Sequence, residues 1–161
     1  MKIERSKLAG YRTALIEWLG ENTAIQWDFY RSYVLPGDGA KGAVFVTRSQ
    51  SDTAINYQQS TNVVSLRLLL ADNDHQEAHC LQLDWGDELL RVMRRLSKTG
   101  VTGTHRGVQL YRAFMGVRLT QKGISYYLED SSQRADLPEG IALATLNADY
   151  EFIIESGIEL D

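Results

Sequence analysis

The residues whose spacing comes nearest to a reactive site are His75 and His79, four apart in a stretch of helical periodicity. On a helix that spacing sets two imidazoles on one face, as in zinc sites. The zinc-protease pattern also needs a glutamate directly after the first histidine, and Gln76 stands there. Cys80 is the next residue, but it points about 100° away around a helix. The pair therefore reads as a polar helix N-terminus facing water, and no metal ligand is assigned. His105 follows a glycine-punctuated turn with no evident partner, and reads as a structural or exposed histidine. Gly37, Gly39 and Gly42 with Lys41 sketch a phosphate loop. A true P-loop places Gly-Lys-Ser/Thr between a strand and a helix, whereas here Lys41 precedes Gly42 and a strand follows. A flexible turn is the simpler reading. There is no Gly-x-Ser-x-Gly elbow, and the sole cysteine lacks an activating context. Arg91, Arg94, Arg95 and Lys98 crowd one helix end, where positive charge complements the macrodipole without any ligand. No catalytic residue, cofactor-binding residue or cofactor is assigned, and the chain is not expected to be an enzyme.

The elements that would have to position any site are clearer. A chain of 161 residues fits one domain. The hydrophobic content of 43% and charged content of 24% are those of a globular protein with a real core. The longest apolar runs fall far short of the ~20 residues a bilayer crossing needs, and the first ten residues lack the apolar core of a secretory signal. A net charge of −4 disfavours gripping nucleic-acid phosphates, which calls for a basic surplus. One cysteine forbids an intrachain disulfide; Cys80 reads as a small, partly buried thiol suited to a reducing cytoplasm.

The organising element is 75–98. Ala78, Leu81, Trp85, Leu89, Val92 and Leu96 recur at steps of three and four, so they stack on one helix face. Their burial contributes about 10 kcal/mol gross, opposed by ordering entropy. Gly86 costs about 1 kcal/mol relative to alanine and marks a kink or a close contact. A first helix over 6–20 carries Leu8, Tyr11, Leu15, Trp18 and Leu19 inward, with Ser6 as N-cap and Gly20 as stop. Its outer face carries Lys7, Arg12 and Glu17. The rest alternates at period two. Strands are expected at 25–30, 43–47, 63–71, 107–120, 124–128 and from 142 to about 154, with Lys122-Gly123 as a turn and 129–140 as a polar loop. In 107–120 both phases hold apolar residues, which predicts a central strand or one covered by a neighbouring subunit. The aromatic pairs Phe29-Tyr30 and Tyr126-Tyr127 read as core or interface residues. The acidic end, through Glu155, Glu159 and Asp161, reads as frayed. Between them lies 48–61, a polar hairpin arm or loop. Without regular βαβ alternation, the expected fold class is α+β: a mainly antiparallel sheet with two principal helices packed on one face.

This whole-chain layout resembles the tail-terminator, or tail-completion, proteins of bacteriophages with long non-contractile tails. The resemblance covers most of the chain. It rests on the opening helix ending at Leu19-Gly20, the polar arm between Thr47 and Asn62, and the helix over 75–98. The closing strand Ala142-Leu143-Ala144-Thr145-Leu146-Asn147-Ala148-Asp149-Tyr150 completes it. It implies a virion protein that forms a ring, typically a hexamer, on the last ring of tail-tube protein. The ring stops tube polymerisation and offers a surface to the head-completion or neck protein. DNA then passes through its channel without specific binding. The implied location is the head-proximal end of the tail, after assembly in the host cytoplasm. A negative charge suits such a channel. Ring closure requires heterologous contacts, for which edge-strand addition is one route. The arm is expected to reach a neighbouring subunit or the tube through Arg48, Gln50, Asp52, Tyr57, Gln58 and Gln59. Two alternatives stand beside this. One is another head–tail joining or neck protein. The other is a small hydrolase near 37–42 or His105, which would show a pocket with convergent polar groups rather than partly apolar subunit faces.

Overall fold

In chain order the elements are α1 (Lys7–Asn22), β1 (Trp27–Asp28), β2 (Ala43–Val44), β3 (Ser49–Asn56), β4 (Gln59–Asp72), α2 (His75–Thr99), β5 (Val101–His105), β6 (Val108–Ala113), β7 (Arg118–Glu129) and β8 (Ala142–Glu155). They come from a computed structural model that describes residues 6–23, 27–28, 43–44, 49–56, 59–135, 137 and 139–155; side chains are described for 6–23, 61–135, 137 and 139–154. Phe29, Tyr30, Gly37, Gly39, Lys41, Gly42, Arg48, Tyr57, Gln58, Glu159 and Asp161 lie outside the described residues.

The main sheet has the order β3-β4-β8-β7 and is antiparallel throughout. β4 and β8 run together without a break from Gln59↔Glu155 to Asp72↔Ala142. This register sets even-numbered residues opposite even-numbered ones, so one face collects Val64, Leu66, Leu68 and Leu70 with Ala144, Leu146, Ala148, Tyr150, Phe152 and Ile154, all buried. Both helices share that face. Tyr11, Ala14, Leu15, Ile16 and Leu19 of α1 join Leu89, Val92, Met93 and Leu96 of α2 in one core with it. The opposite face mixes polar residues with Val63, Leu69, Ala71, Leu143 and Ile153, and on it Arg67 Nε donates to Asn147 Oδ1 at 2.9 Å. The fold is α+β and mainly antiparallel; the short pairing of β1 with β2 is parallel. β5 and β6 form a separate hairpin against α1.

Asp74 caps α2, its Oδ1 accepting from the amides of Gln76 and Glu77 at 3.0 and 3.1 Å. Ser6 caps α1 by accepting from Ala9 N. The helix does not stop at Gly20. It runs on until Asn22 Nδ2 donates to Trp18 O at 2.8 Å and Thr23 Oγ1 to Leu19 O at 2.7 Å, which satisfies the terminal carbonyls with side chains.

The alternation over 107–120 is not one strand. β6 ends at Ala113, the chain turns through 114–117, and β7 starts at Arg118. Arg112, Phe114 and Gly116 adopt positive φ, and Met115 N→Arg112 O, Val117 N→Phe114 O and Gly116 N→Ser97 O bonds close the corner. Burial of Phe114 against Tyr11 and Phe152, with ring centroids 5.2 and 4.7 Å away, drives the turn. β6 therefore lies in a two-stranded hairpin, not at the centre of a sheet. Lys122-Gly123 is not a turn either. β7 continues through it, and the slip between Leu119↔Tyr150 and Ile124↔Ala148 absorbs the extra residues as a bulge, with Gly123 at φ 61°.

Candidate assembly interface

Gln50 and Asp52 lie in β3 and Gln59 opens β4. The arm residues thus belong to an edge hairpin, in which Gln50 pairs with Val63 and Asn56 with Gln59, while Asp52 sits at a register slip. Gln59 is also paired with Glu155 of β8. Strand pairing leaves β3 and β7 as the outer strands of the sheet, each with one hydrogen-bonded neighbour among the described residues.

The histidines do not converge. His75 is exposed, and His79 Nδ1 lies 3.0 Å from Gln82 Oε1. Among the described residues no three His, Cys, Asp or Glu side chains could hold a metal ion. Cys80 is exposed rather than partly buried. His105 does have a partner: its Nδ1 lies 2.8 Å from Glu17 Oε2, on a helix far away in sequence. That pair ties α1 to the β5–β6 hairpin, and among the described residues no hydroxyl or thiol joins it to complete a nucleophile–base relay. The basic residues of α2 have local work. Arg91 pairs with Glu88 at 2.7 Å; Arg95 donates to Asn22 Oδ1 at 2.8 Å and lies over the Trp18 ring.

What the surface does offer is large apolar side chains, gathered in two places. The first is built by a bulge. Between the pairs Gly103↔Leu110 and Val101↔Ala113, β6 carries one residue more than β5. Arg112 occupies the bulge at φ 50°, its amide donating to Thr102 Oγ1 at 3.1 Å. Strict alternation would turn one of Tyr111 and Arg112 inward; the bulge leaves both outside, with Leu110 and Ala113 buried. Tyr111 is 76% exposed, and the Arg112 guanidinium lies 5.6 Å from its ring centre. Tyr111, Met115 and Ile153, with Lys7 and Arg112 beside them, line a groove of about 460 Å³. A second hollow of about 340 Å³ shares Met115 and Ile153 and reaches Arg118, which pairs with Glu151. β7 has ended here, since its first pair is Arg118↔Glu151, so the following residues of β8 have no strand on that side among the described residues.

The second patch lies along the margin of α2 and β7. Leu83, Asp87 and Leu90 fall at i, i+4 and i+7 and share one helix face. Leu83 and Leu90 are exposed, as are Tyr126, Tyr127 and Leu128 of β7. Tyr126 faces the helix where Gly86 leaves room: a Cβ on Gly86 would fall 2.1 Å from the Tyr126 hydroxyl. Burial first, and the Asp87 carboxylate second, raise the Tyr126 phenol above its ordinary pKa. Asp87 and Arg94 share this exposed helix face, at i+4 and i+11 from Leu83, so it carries both signs of charge. Tyr126 stands opposite Leu146, seven residues along β8 from Ile153, which puts the two patches about 23 Å apart along the strand.

Periodicity had no means of finding Tyr111, Met115 and Ile153 as one group, because the bulge and the corner make it. Leu83 and Leu90 carried a visible signal, being apolar residues off the buried stripe of α2. No helix among the described residues is long and apolar enough to cross a membrane. No family model matches the chain, and no curated protein matches it.

Proposed function

We propose that the chain is a structural virion protein whose copies close into a ring, typically a hexamer, that caps a phage tail tube, stops its polymerisation and joins the tail to the head. The observation that carries the self-associating part is the pair of separate apolar patches on one subunit, each beside a strand edge. A two-fold dimer uses one self-complementary patch; a head-to-tail ring needs two different ones. Soluble monomers rarely leave several large apolar side chains clustered at the surface without a partner to cover them. The edge hairpin β3–β4 offers a further contact to a neighbouring subunit or to the tube-protein ring, through backbone pairing. The phage setting rests on the resemblance in layout. In this reading the other partners are the tail-tube protein and a head-completion or neck protein, and DNA passes through the ring without specific contacts.

The test is tube assembly. Tail-tube protein polymerised with the purified chain gives tubes of arrested length, each with a density at one end in negative-stain images. Tubes that elongate freely with bare ends would falsify the capping role. A neck protein with another docking surface would bind completed, capped tails and leave bare tubes growing.

A further inference from the structure

We draw no further inference here: the strongest candidate, the apolar groove between β6 and β8 lined by Tyr111, Met115 and Ile153, is an exposed surface for which nothing in the structure shows what covers it.

Discussion

Arg112 holds a left-handed backbone at φ 50°, a conformation that costs a non-glycine residue about 1–2 kcal/mol. Arg112→Gly relieves that cost but removes the guanidinium from the groove. The variant is expected to melt later, by about 1 kcal/mol in thermal unfolding of the dissociated subunit, and to associate more weakly by sedimentation. Loss on both measures would mean that the bulge does not carry the strain assigned to it. Tyr150 makes the opposite kind of compromise. Its hydroxyl is buried with no hydrogen-bond partner among the described residues, and burial, with Tyr126 behind it, holds the phenol well above its ordinary pKa. Removing an unpaired buried hydroxyl while keeping the ring is favourable. Tyr150→Phe is expected to gain about 1 kcal/mol in urea unfolding; a loss of that size would reveal a partner for the hydroxyl.

Among the elements, α2 makes two contacts with the sheet that its apolar stripe does not announce. Gln82 is buried and its Nε2 donates to Tyr127 O and Thr145 O at 2.9 and 2.8 Å, tying the helix to β7 and β8 at once. Gln82→Leu keeps the size and loses both bonds, at an expected cost of about 1–3 kcal/mol in urea unfolding; an unchanged midpoint would show that the bonds contribute nothing net. Gly86 is held open for Tyr126. Gly86→Ala gains helix propensity but drives its Cβ into the phenol, and is expected to destabilise by about 1 kcal/mol. In a Tyr126→Ala background the same change becomes stabilising by up to about 1 kcal/mol, so a double-mutant cycle separates the two effects. Equal effects in both backgrounds would remove the steric account.

These elements also show what the sequence could convey. The stripe of α2 and the strand period of β4 and β8 were legible, because periodicity answers directly to burial. Gln82 was not: a polar residue on the stripe is buried only because two strand carbonyls meet there. The corner at 114–117 was hidden for a similar reason. Phe114 takes a left-handed conformation that its type disfavours, and the aromatic contacts that compensate come from α1 and β8. His105 lacked a partner in sequence because Glu17 approaches from α1. Of the two exposed apolar patches, the off-stripe leucines of α2 and the Tyr126-Tyr127 pair gave a local sign.

For the molecule as a whole, the account stands on copies of the chain binding one another through unlike faces. The most direct measurement is native mass spectrometry over a concentration series, alone and with tail tubes. The account predicts one closed species at a fixed multiple of 18.2 kDa, sixfold for a hexamer, with few intermediates between it and the subunit. A lone 18.2 kDa species under every condition, tubes included, would contradict it.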